Sequence, residues 1–348
     1  MNRRLYAVGA AALATLVALT GCADTSGSSS SSSGSGTTTD VKFALDWTPN
    51  TNHTGLYVAI EKGYFKDAGI NLTVLPYSDS STDTLINSGA ADFGISFQDT
   101  ATFATATGVA NTSVFAVLQH NPVSIGVLAT ATDITSPKDL DGKIFGNAGS
   151  SESYIKEATD AITNDGGTGK FTSVTLGTSA YEALYAGKVD FVGAFETWEG
   201  LDAELKGTPM KFFHLQDYGV PDLYSVVVNA NNGWLKDHPD AAKAFVGALQ
   251  KGYQFAADNP KEAAKILIDQ NPGVFEDEQL VYKSQEELSA NYLKDAAGVV
   301  GTQTTEQWQA FSDYMFKAGL LVDADGNKLT AAPDASTMFT NDYLTDTK

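Results

Sequence analysis

The side chains best suited to chemistry are concentrated in one short segment of the chain. It reads DWTPNTNH and supplies an acid, an indole, an amide and an imidazole from Asp46, Trp47, Asn50 and His53. The apolar stretch before it, Val41 to Leu45, predicts a strand, and a helical pattern follows. Ligands of α/β proteins bind where strands end, so the segment is predicted to form one wall of a ligand site. We interpret His53 as a hydrogen-bonding residue at the start of the helix rather than as a base.

Aromatic side chains could hold a flat ligand at this edge. Trp47, Trp198 and Tyr224 could enclose a planar ring, since aromatic groups pack with centroids roughly 4.5–7 Å apart. The alternative places Trp47 in the core, because tryptophan is highly buried on average. The adjacent Asp46 and Asn50 favour a ligand site, since their polar groups suit ligand hydrogen bonds better than a dry core.

A glycine- and serine-rich loop offers a second wall. The segment GNAGSSES, residues 146–153, joins a predicted strand to a predicted helix. Gly149 frees the backbone, and the first N–H groups of the helix, near Ser150, can bind an acceptor atom or an anion. Ordinary capping of the helix by Ser150 or Ser151 explains the same residues equally well.

A third candidate segment places two acids beside a tryptophan. Glu196, Trp198 and Glu199 follow a predicted strand, Val189 to Ala194. A carboxylate can accept hydrogen bonds from a ring N–H or an amino group while the indole covers the ring face. The alternative places both acids in the first turn of a helix, where negative charge offsets the helix dipole. The pattern favours an amino-substituted aromatic heterocycle as ligand.

The residues give no support for catalysis or for a metal centre. The four histidines are scattered and lack the close His/Cys spacing of a zinc site. Neither a Gly-x-x-x-x-Gly-Lys-Ser/Thr phosphate loop nor a Gly-x-Ser-x-Gly nucleophile motif occurs in the sequence. We therefore predict a binding protein that is not an enzyme and that uses no cofactor and no metal.

The charge of the chain limits its partners. It has 22 basic and 42 acidic residues, a formal net charge of −20, which disfavours binding of nucleic acid or anionic lipid through the overall field. No arginine follows Arg4, and arginine is the side chain best suited to hold an anion. Lysines and helix N-termini could still bind one. A neutral or cationic ligand is favoured.

Short apolar runs alternate with helical patterns, which predicts parallel strands joined by helices. Strands are predicted at 41–45, 69–75, 93–97, 114–118, 125–130, 143–147, 189–194 and 225–229. Helices are predicted at 54–62, 81–88, 151–163, 239–257, 261–269, 276–293 and 305–318.

A local repeat suggests two similar lobes. The segment LINSGAADFG, residues 85–94, has a counterpart in LYAGKVDFVG, residues 184–193, and each reads as a helix end, a glycine, an aspartate and a strand. Coincidence is the alternative, because such junctions recur in α/β folds. We predict chain crossings near Asn121 and Tyr224, with residues 40–122 and 226–348 forming one lobe and residues 123–225 the other. A cleft between them could close by hinge rotation.

The N-terminus is predicted to direct and anchor the protein outside the cytoplasm. Residues 1–21 have two arginines, a short apolar stretch and small residues, which is typical of a secretory signal peptide. Cys22 follows Leu-Thr-Gly as in a bacterial lipobox, the alternative being an incidental small residue. Residues 22–39 would then be a lipidated cysteine and a flexible Ser/Gly/Thr tether, and the lipid would hold the protein at the cell membrane.

Several motifs in their order along the chain resemble the thiamine-pyrimidine-precursor-binding family. These motifs are Trp47-x-Pro49-Asn50-x-x-His53, KGYF at 62–65, Gly89-x-x-Asp92, DLDGKI at 139–144, GKVD at 187–190 and FTNDYL at 339–344. KGYF is shared with nitrate, sulfonate and taurine binders, whereas the first motif is narrower. The resemblance covers nearly all of residues 41–344.

The resemblance implies a two-lobed α/β protein of the periplasmic-binding-protein type II fold. It implies a monomer that delivers a thiamine-related pyrimidine precursor to an ABC permease and its ATPase. By the same resemblance Ser96, Gln98 and Asn121 join the candidate ligand-binding residues, and Glu199 is preferred over Glu196. Riboflavin, sulfonate or nitrate are alternative ligands, and a pyrimidine-processing enzyme is the alternative class.

The chain departs from the related pyrimidine synthases at the residues that carry their chemistry. Ser96 stands where those enzymes have the lysine that binds pyridoxal phosphate, and residues 220–225 contain none of their cysteines. Without an amine at that position the covalent chemistry has no starting point.

Overall fold

Two five-stranded sheets organise residues 38–78 and 80–345, the part of the chain that the computed structural model describes. The predicted signal peptide, Cys22 and nearly all of the tether lie outside the described residues. The first sheet contains β1 (Thr39–Ala44), β2 (Ile70–Leu75), β3 (Phe93–Ser96), β4 (Asn111–Ala116) and β10 (Val227–Asn231) in the order β2-β1-β3-β10-β4. The second contains β5 (Val123–Leu128), β6 (Ile144–Asn147), β7 (Thr172–Thr175), β8 (Phe191–Phe195) and β9 (Met210–Phe213) in the order β7-β6-β8-β5-β9.

The prediction of parallel strands is right for four of the eight strand pairs in the described residues, and one strand in each sheet is reversed. β1 runs parallel to β2 and β3, and β6 runs parallel to β7 and β8. β10 is antiparallel to β3 and β4, and β5 is antiparallel to β8 and β9. Each reversed strand is the first one after the chain leaves the other sheet. It therefore enters without the crossover helix that keeps strands parallel.

Seven of the twelve helices that the structure describes lie close to their predicted positions. The twelve are α1 (Thr54–Glu61), α2 (Tyr64–Asp67), α3 (Thr82–Asn87), α4 (Gln98–Ala106), α5 (Glu152–Asn164), α6 (Ser179–Tyr185), α7 (Leu201–Leu205), α8 (Asn232–Asp237), α9 (Pro239–Asp258), α10 (Pro260–Gln270), α11 (Glu278–Asn291) and α12 (Thr305–Lys317). α9 returns to the first sheet, where the Phe245 ring stacks on Phe93 with centroids 4.2 Å apart. Among the described residues no helix is long and apolar enough to cross a bilayer.

The repeated segments occupy equivalent places in the two sheets. Gly89 and Gly187 end α3 and α6 with positive φ angles of 74° and 66°, which glycine adopts without steric cost. The carboxylate of Asp92 accepts a hydrogen bond from the Lys42 N–H of β1 at 2.8 Å, and that of Asp190 accepts one from the Ile144 N–H of β6 at 2.7 Å. Each aspartate thus ties the start of one strand to its parallel neighbour.

The chain passes between the two sheets twice. The first crossing follows β4 and includes Asn121; the second precedes β10 and includes Tyr224. Asp222 of the second crossing binds the first one, since its carboxylate accepts from the Asn121 N–H at 3.0 Å and lies 2.6 Å from His120 Nδ1. The two connections therefore lie side by side.

Two glycines bring α1 against α9. A Cβ on Gly252 would lie 2.0 Å from the Gly55 carbonyl oxygen, and one on Gly55 would lie 2.2 Å from the Tyr253 ring. This contact lets the Tyr253 hydroxyl donate to the Asn52 carbonyl at 2.7 Å. The loop between β1 and α1 is therefore fixed to the longest described helix.

Candidate ligand-binding cleft

Three adjoining cavities lie where β1, β3, β6 and β8 end. The aromatic cavity, of about 420 Å³, is lined by Asp46, Trp47, Asn50, Thr51, Asn52, Phe97, Ala148, Thr178, Tyr181, Glu182, Tyr185, Phe195, Trp198, Glu199 and Asp202. The serine cavity, of about 360 Å³, is lined by Phe97, Asp99, Thr100, Asn121, Val123, Ala148, Gly149, Ser150, Ser151, Ser153, Tyr154, Glu157, Tyr181, Gly193, Phe195, Leu223 and Ser225. The outer cavity, of about 250 Å³, includes Asp46, Tyr77, Asp83, Ser96 and Thr100.

Aromatic rings from both sheets' loops enclose the aromatic cavity. Trp47 is 44% exposed, so the structure places it at the cavity and not in the core. Its ring lies 5.1 Å from Tyr77. Trp198 lines the same cavity and packs edge-on against Phe275 at 6.4 Å, which holds the indole in place. Tyr181 contributes a further ring to the lining.

Glu199 supplies an acid to the same cavity. It lies in a π-helical turn, Glu196–Gly200, that follows β8 directly and leads into α7. Its Oε2 accepts a hydrogen bond from the Phe195 N–H at 3.0 Å. Although part of the residue faces the cavity, the surrounding protein removes water from the carboxyl group and raises the pKa of Glu199 to about 7. Around neutral pH this group can either accept or donate a proton.

Asp46 is held in position by His53. The Asn50 N–H donates to His53 Nδ1 at 3.3 Å, so Nε2 carries the hydrogen and donates to Asp46 Oδ1 at 2.8 Å. The Asn50 side chain in turn accepts from the Asn52 N–H at 2.9 Å and caps the short helix that precedes α1. His53 is fully buried and lines none of the three cavities. It orients the wall rather than facing the cleft.

The serine loop is already hydrogen-bonded within the protein. Asn147 accepts from the N–H groups of Gly149 and Ser150, both at 2.7 Å. Ser151 caps α5 by accepting from the Tyr154 N–H at 3.3 Å, so the capping explanation holds for Ser151.

Asp99 of α4 also reaches this helix start. Its Oδ2 accepts from Ser151 at 3.0 Å and from Ser153 at 2.5 Å. A carboxylate of the protein itself thus occupies the position at the N-terminus of α5 where an anion would bind.

Glu157, one turn further along α5, is the most deeply placed acid of the cleft. It lines the serine cavity, yet only 4% of its surface is exposed. Loss of water raises the pKa of Glu157 to about 8, with a smaller contribution from the nearby charge of Asp99.

Four residues predicted to bind ligand have structural partners instead of cavity positions. Gln98 accepts from the Tyr224 N–H at 2.7 Å and donates to the Gln307 carbonyl at 3.1 Å. Tyr224 is 1% exposed, and its hydroxyl accepts from the Thr304 N–H at 2.8 Å. Glu196 accepts from Ser124 at 2.5 Å and lies 2.8 Å from His214 Nδ1. Together with His53, these residues lie outside the cavity linings.

Two further predicted residues lie at the edge of the cleft. Ser96 lines the outer cavity but is 2% exposed, and its hydroxyl donates to Asp83 at 2.6 Å. Asn121 lines the serine cavity next to the first crossing. The structure therefore brings Asp46, Trp47, Asn50, Trp198 and Glu199 together in one cavity, and Asn121, Gly149 and Ser150 in the next.

Several lining residues were not predicted from the sequence. Tyr181 and Tyr185 lie on α6, and burial raises the pKa of both hydroxyls. The Tyr185 hydroxyl is buried without a hydrogen-bond partner among the described residues. Glu157 had a detectable signal, since it lies on the same helical face as Tyr154, Ala158 and Ala161, all of which are buried.

No basic residue lines any of the three cavities among the residues that the structure describes. Their ionisable lining groups are Asp46, Asp83, Asp99, Glu157, Glu182, Glu199 and Asp202, together with tyrosines. Aromatic faces and carboxylates together suit a flat ligand that carries hydrogen-bond donors or positive charge.

The chain has two α/β sheets joined by two crossings, with a cleft at the strand ends. This is the fold of periplasmic binding proteins, and it is the fold of the chain. One similar solved structure is the ligand-binding component of an ABC-type import system from Staphylococcus aureus, solved with zinc bound. It has a TM-score of 0.64 and 16% identity, covering 87% of this chain and 97% of that one.

The family follows from a sequence match. The model of the "NMT1/THI5 like" family matches residues 50–263, and the chain belongs to this family. A formylaminopyrimidine-binding protein from Halalkalibacterium halodurans is 28% identical over 277 residues, which is 77% of this chain and 82% of the relative. The 4-amino-5-hydroxymethyl-2-methylpyrimidine phosphate synthase THI12 from Saccharomyces cerevisiae is 25% identical over 320 residues, 88% of each chain.

Proposed function

We propose that this protein is an extracytoplasmic solute-binding protein that captures a thiamine-related pyrimidine precursor for an ABC importer. The observation that carries the proposal is the aromatic cavity, where Trp47, Trp198 and Glu199 line one space and no basic residue of the described chain joins them. An aminopyrimidine has a flat face for the indoles and amino and ring nitrogen groups for the acid. The formylaminopyrimidine-binding relative supports this ligand class.

The arrangement disfavours the anionic ligands that remained as alternatives. Sulfonate and nitrate need positively charged groups or free N–H donors. The serine loop uses its N–H groups internally, and Asp99 already occupies the start of α5. An anion in the serine cavity would also face the carboxyl group of Glu157.

The arrangement also disfavours the synthase chemistry of the yeast relative. Ser96 hydrogen-bonds to Asp83 in a buried position, and no lysine lines the three cavities within the described residues. A binding role without turnover, and without a cofactor or metal, is the function we propose.

Anchoring and delivery extend the same proposal. Lipid on Cys22 would hold a monomer at the cell surface, with residues 22–39 as the tether to the folded part. Residues 40–122 with 226–348, and residues 123–225, would act as the two lobes. Closure around the ligand would present a distinct form to the permease.

A ligand screen tests the function directly. The mature protein is mixed with 4-amino-5-hydroxymethyl-2-methylpyrimidine, formylaminopyrimidine, riboflavin, an alkanesulfonate or nitrate, and its melting temperature is measured. A pyrimidine at 100 times its Kd should stabilise the fold by about 2.7 kcal/mol, and mass spectrometry should recover it unchanged. Stabilisation by sulfonate, nitrate or riboflavin alone would overturn the ligand class, and conversion of the pyrimidine would overturn the non-enzymatic role.

A further inference from the structure

Glu157 is a buried acid without a partner. It lines the serine cavity with 4% of its surface exposed, and no described residue forms a hydrogen bond or ion pair with its side chain. A buried carboxyl group without a partner costs stability, because it has lost water and gained nothing in return. Its position on the cavity wall indicates that the missing partner comes from a ligand.

The charged groups around Glu157 are already occupied. Asp160, on the same helix, binds the Lys156 ammonium and accepts from the Tyr314 hydroxyl of α12 at 2.6 Å. Asp99, from α4, accepts hydrogen bonds from two serines. The Lys156 ammonium also lies over the Tyr314 ring. No described cation is left to neutralise Glu157, and the acids on both sides make the surroundings more negative.

Tyr154 is a further ionisable residue beside Glu157. It is buried, and its hydroxyl donates to the Ser124 carbonyl at 3.2 Å, so its hydrogen is used elsewhere. The combined effect of burial and neighbouring acids raises the pKa of Glu157 to about 8. In the empty cavity near neutral pH the group therefore carries a proton most of the time.

We propose that the serine cavity is a subsite for a protonated amine of the ligand, which binds between the carboxylates of Glu157 and Asp99. This deepens the proposed function by assigning the ligand class: an aromatic ring that bears an ammonium group on a short arm. It rests on the proposed function only for the identity of the ring.

One molecule can reach both cavities. Phe97, Ala148, Tyr181 and Phe195 line the aromatic cavity and the serine cavity alike. A ring bound in the aromatic cavity can therefore extend a short substituent toward Glu157. Both cavities are within the size range of small-molecule sites, about 300–1,000 Å³.

Binding of an ammonium group has a measurable proton balance. The ligand enters with its positive charge, the carboxyl group of Glu157 gives up its proton, and that proton passes to the buffer. The ion pair that remains is a charge-assisted hydrogen bond in a site shielded from water. A neutral ligand with a hydroxyl group in the same place would leave the proton on Glu157.

The experiment compares two ligands that differ in one group. Isothermal titration calorimetry at pH 7 in two buffers of different ionisation enthalpy uses 4-amino-5-aminomethyl-2-methylpyrimidine and its 5-hydroxymethyl counterpart. The wild type should bind the aminomethyl compound at least about tenfold more tightly, since an ion pair with a buried acid is worth more than about 1.4 kcal/mol. It should release close to one proton per amine bound.

Two variants locate the effect. Glu157→Gln should lose both the preference and the proton release, whereas Glu152→Gln, exposed on the first turn of the same helix, should retain them. Thermal melting of both variants checks that the fold is intact. An unchanged preference in Glu157→Gln, or uptake of a proton on binding, would overturn the subsite.

A second probe pair separates this proposal from the function. Benzylamine and benzyl alcohol at millimolar concentration carry the same arm on a ring that is not a pyrimidine. A preference for benzylamine that depends on Glu157, without pyrimidine binding, would reject the proposed function and retain the subsite. Pyrimidine binding without any amine preference would retain the proposed function and reject the subsite.

Discussion

Replacement of Glu199 should change how pyrimidine affinity depends on pH. The pKa of Glu199 is raised to about 7, mainly because burial removes water from the carboxyl group. A pyrimidine that donates from its amino group needs the ionised form, which is about 90% populated at pH 8 and about 10% at pH 6. The apparent affinity of the wild type should therefore fall about tenfold as the pH drops from 8 to 6.

Glu199→Gln should remove this dependence and weaken binding at pH 8. A glutamine oxygen can still accept from the Phe195 N–H, so the turn is retained, but the charge is lost. Hydrogen bonds to charged groups contribute about 1.5–3 kcal/mol, which predicts a loss of roughly ten- to a hundredfold in affinity. At pH 6 the two proteins should differ far less.

Calorimetric titration with 4-amino-5-hydroxymethyl-2-methylpyrimidine from pH 6 to pH 8 measures both effects. Ionisation of the ligand itself affects wild type and variant equally, so the ratio of their Kd values isolates Glu199. Glu152→Gln, which removes an exposed acid outside the three cavity linings, is the matched control and should keep the wild-type profile. A Kd ratio that stays constant across the pH range would refute the role of Glu199.

Three further predictions concern the wall, the buried acid and the helix contact. Trp47→Ala should weaken pyrimidine binding with little change in stability because Trp47 is 44% exposed. Trp308→Ala, at a fully buried position, should instead lower the free energy of unfolding by about 3–5 kcal/mol, measured in urea. Glu157 has a folded pKa of about 8, above its ordinary 4.5, so its contribution to stability is complete below pH 4.5 and is lost as the pH rises through about 8. Glu157→Gln should therefore gain stability relative to wild type by up to about 1.4 kcal/mol per pH unit in that window, measured by chemical denaturation. Gly252→Ala should destabilise the fold by about 1–3 kcal/mol because its Cβ would meet the Gly55 carbonyl, and an unchanged melting temperature would show that α1 and α9 can separate freely.

The sequence was informative where local patterns decide the structure. Apolar runs located most strands, and helical patterns located the start of α12 at Thr305 and the end of α1 just before Gly63, which has a left-handed φ of 74°. The antiparallel direction of β5 and β10 was not predicted, because it depends on where the chain crosses between sheets and not on any local pattern. α4 was missed as well, since its threonine-rich sequence QDTATFATA has only weak helical periodicity.

The candidate site was predicted in part for a similar reason. Trp47 and Glu199 lie directly after strands, so their place at the cleft follows from the strand pattern. Tyr224 also adjoins a strand, but tertiary packing turns it toward Trp308, with ring centroids 6.3 Å apart. Glu157 was not predicted although it shares a helical face with Tyr154, Ala158 and Ala161, because that pattern indicates burial of the face and not the cavity beside it.

The paired aspartates before β3 and β8 have a consequence for how this protein can change. Asp92 and Asp190 fasten the starts of the strands, while the candidate ligand groups occupy the opposite ends. Substitutions in the loops at the cleft end of the strands leave the hydrogen bonds of Asp92 and Asp190 at the other end unchanged. A library that varies only the cleft loops should therefore yield folded proteins with new ligand preferences, whereas one that varies the aspartate ends should yield few folded members.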